Sequence, residues 1–317
     1  MTGGLLAVHA HPDDETLSTG ALLATWAAAG LPTTVVTCTR GEQGEVIGPE
    51  QSVLEGNGRA LAEHREVELA GALAALGVRH HAFLDQLVRP SSSPGGQDDG
   101  DGPGGRLRFA DSGMAWIATG QATAAADLPE DAFVRVPVDV AAAGLADLIR
   151  REEPTVVVGY EPGGGYGHPD HVHAHRVMTR AVELATAHLA VAPTVLWAVL
   201  DLVQLRAAYR ALAEEPTPAG LALPDPAGPV PSAAVPSAGV DVEVDVDPVL
   251  DKVLAAMRSH ATQVQAVRPT PGSTHVARFA LSNAVLQPLL ATETYRVAHG
   301  QGPAPTEWPA GIRPRVA

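Results

Sequence analysis

The sequence predicts an α/β fold, and three observations lead to that prediction. Short apolar runs rich in β-branched residues alternate with longer segments of helical period. The helical segments are a dozen or more residues long, as crossovers between parallel strands require. The run at 155–160 is apolar almost throughout, which is typical of a strand covered on both faces. We therefore expect a Rossmann-like, mostly parallel sheet with helices on both faces and a smaller C-terminal addition.

The elements can be assigned in order from periodicity and composition. A strand, a helix and a strand come first, at 5–8, 16–29 and 33–37. Helix and strand then alternate, with helices at 59–76, 140–151 and 171–189 and strands at 81–84, 155–160 and 195–200. A last strand at 240–246 and a helix at 248–264 follow a Pro-rich stretch.

Composition divides the chain into three parts. Residues 1–213 carry the α/β pattern and form the predicted catalytic core. Residues 214–239 are Pro-rich and are expected to be an extended or disordered linker or loop. Residues 240–317 form the predicted addition, which walls the active site. The segment at 91–105 has almost no apolar residues and is expected to be a flexible surface loop.

Charge and cysteine content limit the kinds of partner. The chain of 317 residues has 21 basic and 36 acidic residues, a formal net charge of −15. This charge argues against nucleic acid or an anionic membrane as partner and favours a small polar ligand. Cys38 is the single cysteine, so no internal disulfide can form. With no long apolar run and no basic leader, the chain is expected to be cytoplasmic.

The first group of chemically active residues follows the first predicted strand. His11, Pro12, Asp13, Asp14 and Glu15 lie where that strand ends and a helix begins, which is the functional edge of a parallel sheet. Pro12 fixes a turn, so the two adjacent aspartates point in different directions. Helix capping would account for one or two of the acids. It would not account for the added histidine.

A second group repeats this layout after the strand at 155–160. His168, Pro169, Asp170 and His171 form another strand-to-helix turn, and Tyr166 precedes them in a run of glycines. If the two strands flank the point where strand order reverses, both turns face one crevice. The histidines at 173 and 175 are expected to lie on the helix surface or to support the site.

Two imidazoles and one carboxylate form a ligand set that suits a borderline divalent cation and leaves positions open for water and substrate. We expect a single divalent metal ion, zinc first, although iron(II) and cobalt(II) also accept this ligand set. Asp13 is placed to act as base toward an attacking water. His168 and Tyr166 are candidates to donate to the oxyanion, with His168 as an imidazolium whose other nitrogen Asp170 holds.

With these motifs, AHPDDE at 10–15 and HPDH at 168–171, the sequence resembles the PIG-L/LmbE-type metal-dependent N-deacetylases. Further segments are similar to the branch of that family that serves mycothiol biosynthesis: VVTCTRGEQGEVIG at 35–48, DSGM at 111–114, GGYGHPDHVHAH at 164–175, HATQV at 260–264 and ALSN at 280–283. The resemblance implies hydrolytic deacetylation of N-acetylglucosaminyl-inositol.

The resemblance also implies roles for individual residues. By position, His11, Asp14 and His171 match the zinc ligands, and Asp13 matches the general base. His168 with Tyr166 matches the oxyanion and gating positions, and Asp170 the residue that orients His168. Four further residues match contacts to the sugar and inositol hydroxyls: Ser18, Glu45, Arg65 and Asp111. Each of these four has a plainer alternative, as a helix-surface residue, a solvated loop acid or a loop cap.

Some features depart from the family pattern, and other functions stay open. The departures are the 91–105 insertion, Arg40 and Trp116. A sister amidase that acts on mycothiol conjugates shares the metal site. Its second motif resembles GGYPHPDH, with proline where this chain has Gly167. A deacetylase of another N-acetyl amino sugar is a further alternative, as is a non-catalytic metal- or sugar-binding module. A dinucleotide site is disfavoured, because the first turn contains no G-x-G-x-x-G.

Overall fold

The computed structural model of the chain describes residues 3–88, 108–118, 121–124, 128–270, 274–298, 302, 305 and 307–315. The predicted loop at 91–105 and the side chain of Trp116 lie outside this description. Within it, no helix has the combination of length and apolar character needed to pass through a bilayer.

The first half of the chain contains the predicted alternation of strands and helices, together with two short helices and a two-stranded antiparallel sheet that were not predicted. In order these are β1 (Leu5–His9), α1 (Asp14–Ala28), β2 (Thr33–Thr37), α2 (Gly58–Leu76), β3 (His80–Phe83), α3 (Leu84–Leu87), β4 (Met114–Ala118), β5 (Gln121–Ala124), α4 (Val138–Glu152), β6 (Val156–Tyr160), α5 (Gly164–Gly167) and α6 (Pro169–Thr186). Local signals set several helix ends. Asn57 caps α2 by accepting the Ala60 N–H at 3.2 Å, and Gly77 closes that helix at φ 84°.

The second half contributes β7 (Thr194–Asp201), α7 (Leu202–Leu212), β8 (Ala234–Val235), β9 (Val242–Asp245), α8 (Leu250–Ser259), β10 (Gln265–Pro269), β11 (His275–Ala280), β12 (Leu286–Leu290), β13 (Thr292–Val297) and β14 (Ile312–Pro314). Helix α7, strand β8 and strands β10 to β14 were not predicted from the sequence. The last helix, α8, is shorter than predicted. That helix stops at Ser259 because His260 and Thr262 turn inward to bind the buried acids Glu15 and Glu68.

The central sheet confirms the predicted fold class. Its strand order is β14-β9-β13-β7-β6-β1-β2-β3, with β8 pairing β7. Strands β3, β2, β1, β6 and β7 run parallel. The chain moves from β1 toward β2 and β3, then crosses to the other side of β1 to form β6 and β7. The order therefore reverses between β1 and β6, and the turns after these two strands face one crevice.

Both faces of the sheet are covered, as predicted. Alternate residues of β1 enter two different cores: Leu5 and Ala7 pack with α1, α2 and α8, while Leu6 and Val8 pack with α4 and α6. This alternation follows from the pleat, which points successive side chains to opposite faces. Strands buried on both sides can be apolar throughout, which explains the continuous runs seen in the sequence.

The C-terminal residues extend the sheet and build a second, smaller one. Strand β13 pairs antiparallel with β7, and β9 and β14 continue in the same antiparallel sense. Strands β10 to β12 form a separate three-stranded antiparallel sheet. The Pro-rich segment at 214–239 includes β8. It contacts helix α7, where the Arg206 guanidinium donates to the Pro226 carbonyl at 2.6 Å. The boundaries proposed at 213 and 239 stay predictions.

Candidate metal centre

The turn after β1 places His11, Asp13 and Asp14 at the crevice. The His11 backbone N–H donates to Asp14 Oδ2 at 3.0 Å, which closes the turn. Asp13 between them has φ 111°, a conformation that costs a non-glycine residue about 1–3 kcal/mol and is typical of functional sites. The buried Arg65 side chain holds this turn by donating to the Pro12 carbonyl and, at 2.7 Å, to the Gly41 carbonyl.

The turn after β6 brings the second group to the same place. His168 caps α6, because its Nδ1 accepts the Asp170 backbone N–H at 3.1 Å, and Pro169 occupies the first helical position. The residues before it form a loop in which Gly164, Gly165 and Gly167 have φ of 69°, 77° and 92°. Only glycine adopts such angles freely, so the glycine run allows the chain to reverse before α6.

Three donor atoms from the two turns converge. His171 Nε2 lies 3.3 Å from His11 Nδ1 and 3.2 Å from Asp14 Oδ2, and His11 Nδ1 lies 3.4 Å from Asp14 Oδ2. Ligands at ~2.1 Å from a tetrahedral ion are separated by about 3.4 Å. The spacing of the three atoms therefore fits a tetrahedral cation with one position left open.

The far nitrogens of both imidazoles are bound in the way that metal-ligating histidines require. His171 Nδ1 lies 3.1 Å from the Gly164 carbonyl and donates to it, which leaves the Nε2 lone pair facing the cluster. His11 Nε2 lies 3.2 Å from Asp170 and 3.4 Å from Asp111. Burial lowers the pKa of His11, but these carboxylates and Asp14 outweigh burial and raise it well above its ordinary value. The same carboxylates favour a cation bound at His11 Nδ1.

Asp14 is ionised in this environment. Burial alone would raise its pKa, but the neighbouring His171 and His11 hold the pKa of Asp14 well below its usual range. Two other triads of donor atoms also lie within 4.8 Å of one another, His11 with His168 and His171, and His11 with Asp111 and Asp170.

Asp13 lies beside the three donor atoms and makes no hydrogen bond to them. Its side chain is 15% exposed, and Oδ2 lies 3.4 Å from the Arg65 guanidinium. Burial raises the pKa of Asp13 to about 6, with Arg65 lowering it and the charges of Asp14 and Glu15 raising it further. A carboxylate with a raised pKa at the edge of a cavity is suited to accept a proton near neutral pH.

The prediction that the Asp170 carboxylate contacts His168 is wrong. That carboxylate instead accepts from the Ser112 hydroxyl at 2.5 Å and the Ser112 backbone N–H at 2.9 Å, and approaches His11. The expected rise in the pKa of His168 is wrong too. Burial, and then the neighbouring His11 and His171, lower the pKa of His168 well below its ordinary value. His168 is therefore a neutral imidazole, with Nδ1 as acceptor and Nε2 carrying the proton.

The four predicted substrate contacts lie around one cavity of about 700 Å³. Arg65 is only 2% exposed, so the alternative that it is a helix-surface residue is wrong. The Asp111 carboxylate accepts the Gln43 and Gly113 N–H groups at 3.2 and 2.8 Å, while Glu45 is exposed at the rim. Ten of the eleven predicted site residues line this cavity, the exception being the buried Asp170: His11, Asp13, Asp14, Ser18, Glu45, Arg65, Asp111, Tyr166, His168 and His171.

Sequence reasoning missed several supporting residues. His260 and Glu15 form a fully buried ion pair of 2.8 Å, and Glu15 also accepts the Asp13 backbone N–H at 2.9 Å. The Tyr160 ring stacks on His171 with centroids 4.2 Å apart. His260 and Ser112 both fall within segments that resemble the family, so a signal was present. Nothing in the sequence indicated that Tyr160 would pack on a ligand, since it reads as a strand residue.

The far part of the cavity is apolar and comes mainly from the second half of the chain. Its wall is formed by β7, α7 and the small sheet, through Val199, Leu205, Tyr209, Phe279, Leu281, Leu289 and Leu290. The cavity is therefore amphipathic, with its charged groups gathered where β1 and β6 end.

An open α/β sheet with a His-Asp-His cluster at its switch point, next to a further carboxylate, has the residues that a metal-dependent hydrolase requires. Residues 6–182 match the family model described as PIG-L, GlcNAc-PI de-N-acetylase, and the chain belongs to this family.

Relatives from actinobacteria are similar over nearly the whole chain. A protein of Nocardia farcinica is 43% identical over 96% of this chain and 93% of its own length. One of Kineococcus radiotolerans is 41% identical over 98% of this chain and 83% of its own length. Both are named 1D-myo-inositol 2-acetamido-2-deoxy-alpha-D-glucopyranoside deacetylase.

Among solved structures, the 4-carboxy-2-hydroxymuconate hydratase of Pseudomonas putida aligns over 96% of this chain and 99% of its own, with a TM-score of 0.52 and 17% identity. A likeness at this identity concerns the fold alone.

Proposed function

We propose that the chain is a zinc-dependent deacetylase that hydrolyses N-acetylglucosaminyl-inositol to glucosaminyl-inositol and acetate, a step of mycothiol biosynthesis. The convergence of His11 Nδ1, Asp14 Oδ2 and His171 Nε2 within 3.2–3.4 Å is the observation that carries this proposal. The names of the two relatives support the choice of substrate. A metal ion held by these atoms supplies Lewis acidity toward the acetyl carbonyl and the attacking water.

Asp13 is the base in this proposal. Its carboxylate takes one proton from the water as the oxygen of that water forms a bond to the acetyl carbon. When the C–N bond breaks, the same proton passes from Asp13 to the sugar nitrogen, which leaves as an amine. The raised pKa of Asp13, about 6, suits a group that must both accept and return a proton.

His168 donates a hydrogen bond to the oxyanion that develops on the acetyl oxygen. Because Nδ1 accepts the Asp170 N–H, the remaining proton is on Nε2, which faces the cavity side of the ring. A neutral donor needs no proton transfer of its own to stabilise the developing charge. Tyr166, whose ring lies 4.9 Å from that of His171, borders the same space and completes the wall on this side.

Four polar residues are proposed to orient the sugar and inositol rings: Ser18, Glu45, Arg65 and Asp111. They surround the polar half of the cavity, where a few fixed polar groups would set the orientation of a ligand. Zinc is proposed over iron(II) because a tetrahedral set of two imidazoles and one carboxylate with an open position is typical of catalytic zinc.

Release of acetate from three substrates tests the reaction and the substrate together. The metal-loaded protein should act on N-acetylglucosaminyl-inositol with a kcat/KM well above those for N-acetylglucosamine and diacetylchitobiose. Asp13→Asn should lower kcat by about 10²–10⁴-fold while metal binding is retained. Release of no acetate by the metal-loaded wild type would contradict the proposed function.

A comparison with a mycothiol conjugate tests the sister amidase activity. Gly167 has φ 92°, which a proline fixed near −65° does not adopt, so the loop beside Tyr166 differs from one with proline at that position. We expect faster turnover of N-acetylglucosaminyl-inositol than of a bimane conjugate. Preference for the conjugate would assign the chain to the amidase branch.

A further inference from the structure

A buried carboxylate just after β6 organises the glycine loop that carries Tyr166. Glu161 is 9% exposed, and one of its oxygens accepts the Gly163 N–H while the other accepts the Gly165 N–H at 2.9 Å. These two amides lie in a stretch where Gly164, Gly165 and Gly167 have positive φ, and such a glycine-rich stretch has little conformational preference of its own. The carboxylate thus supplies the partners that fix one conformation of the loop.

The same carboxylate joins this loop to the Pro-rich segment at 214–239. The Ser232 hydroxyl donates to Glu161 Oε1 at 2.7 Å and lies 3.0 Å from the Gly165 carbonyl. The next residue, Ala233, donates its backbone N–H to that carbonyl at 2.9 Å. The packing is close, since a Cβ on Gly163 would lie 2.7 Å from Ser232 Oγ.

The clamped loop contacts the metal centre at two points. Between the amides bound by Glu161 lies Gly164, whose carbonyl binds His171 Nδ1 at 3.1 Å and so fixes the ring of a predicted ligand. Next to Gly165 is Tyr166, which lines the cavity. Pro231 and Ala233 line the cavity as well, so the Pro-rich segment reaches the site itself.

We propose that Glu161 and Ser232 are positioning residues: together they clamp the 163–167 loop, and through it set the placement of Tyr166 and the orientation of His171. On this proposal, the Pro-rich segment contributes to the site by holding the 163–167 loop in place. The effect on catalysis rests on the proposed function, whereas the effect on the loop does not.

Hydrogen exchange of the backbone amides, with kcat, KM, zinc affinity and Tm measured beside it, tests the clamp in Ser232→Ala. Loss of one hydrogen bond to a charged partner should speed exchange of the peptide containing 163–167 by roughly tenfold. We expect kcat to fall by a similar factor, with KM and Tm nearly unchanged. Glu161→Gln removes an acceptor from the loop and should produce larger changes in the same direction, with weaker zinc binding through His171.

Ser237→Ala is the matched control, because that serine belongs to the same segment and also donates to a buried carboxylate, Asp201 Oδ1 at 2.9 Å, away from the loop. It should leave exchange at 163–167 and kcat as in the wild type. Exchange in Ser232→Ala no faster than in Ser237→Ala would overturn the clamp. Faster exchange with unchanged kcat and zinc affinity would overturn its positioning role. An inactive wild type would count against the deacetylase proposal instead, and the exchange comparison would still decide the clamp.

Discussion

Asp13 shows how a single residue can be unfavourable for folding and suited to catalysis. Its φ of 111° is strained, and its carboxylate is buried beside Asp14 and Glu15, which raises its pKa to about 6. Arg65 holds the turn by binding the Pro12 carbonyl, so the surrounding structure keeps a conformation that the local sequence would not choose.

The activity should depend on pH through Asp13. The base must be ionised, so kcat/KM should fall as pH drops through the pKa of this residue. A bound cation lowers that pKa, which places the acid limb at or below pH 6. A pH profile of kcat/KM with zinc present checks this. An acid limb above pH 7 would contradict the assignment of Asp13 as base.

The stability of the metal-free protein should change with pH in the direction opposite to the activity. Because the folded-state pKa of Asp13 is raised, the folded protein binds more protons than the unfolded chain, and stability falls as pH rises from about 4 to about 6. Asp13→Asn should therefore stabilise the metal-free protein at pH 7 by about 1–3 kcal/mol. Urea unfolding at pH 4 and pH 7 measures this. A variant less stable than wild type at pH 7 would show that the Arg65 contact outweighs burial.

The proposed role of His168 can be tested against His188, an exposed histidine just after α6, as a control. Loss of the Nε2–H donor in His168→Ala should lower kcat by about 10²–10³-fold, as removal of an oxyanion donor does in other hydrolases. His188→Ala, at an exposed position just after α6, should leave kcat unchanged. Steady-state assays of both variants check the role, and equal effects of the two substitutions would remove His168 from it.

At the scale of elements, helix α1 is two helices joined at a break. Thr19 has φ −143° and ψ 15°, which interrupts the backbone ladder after the turn that carries Asp14 and Ser18. The Glu293 carboxylate from β13 accepts the Ala21 and Leu22 N–H groups at 2.6 and 2.9 Å. A residue of the C-terminal part therefore caps the helix that follows the first ligand turn.

Glu293→Ala should lower the free energy of unfolding by about 1–3 kcal/mol, because two buried N–H groups lose their acceptor. It should also weaken zinc binding, since the cap fixes the direction of the turn bearing Asp14. Asp201→Ala removes a comparable cap, the carboxylate that accepts the Val203 and Gln204 N–H groups of α7. That control should lose stability and keep the zinc affinity of the wild type. Equal zinc affinities in the two variants would contradict the prediction.

At the scale of the whole molecule, the three proposed metal ligands come from parts of the chain that are distant in sequence. His11 and Asp14 follow β1, whereas His171 lies on α6 after β6, and the two turns meet because β1 and β6 are neighbours in the sheet. An ion held between them stabilises the folded state over the unfolded chain, where no such site exists.

Metal removal should therefore lower Tm. Zinc at 1,000 times its Kd contributes about 4 kcal/mol, and treatment with a chelator should remove that contribution. In His171→Ala the chelator should have little effect, because one ligand is already lost. Calorimetry of both proteins with and without chelator measures the difference. An equal decrease in both would place the ion elsewhere.

The sequence by itself determined the alternation of strands and helices, the parallel sheet and the two turns that carry chemistry. Periodicity and strand-end motifs are local signals, and they were sufficient because β1 and β6, with apolar side chains on both faces, must lie inside a sheet. The motifs AHPDDE and HPDH also indicated residues that the fold brings to one cavity.

Tertiary structure decided what those residues do to one another. The Asp170 carboxylate binds Ser112 and not His168, because the fold brings the Ser112 hydroxyl and backbone N–H, 58 residues away in the sequence, to this carboxylate. The cap from Glu293 and the clamp from Ser232 likewise come from segments far along the chain. Hydrogen-bond partners and pKa values depend on distances between such segments, and sequence spacing does not encode those distances.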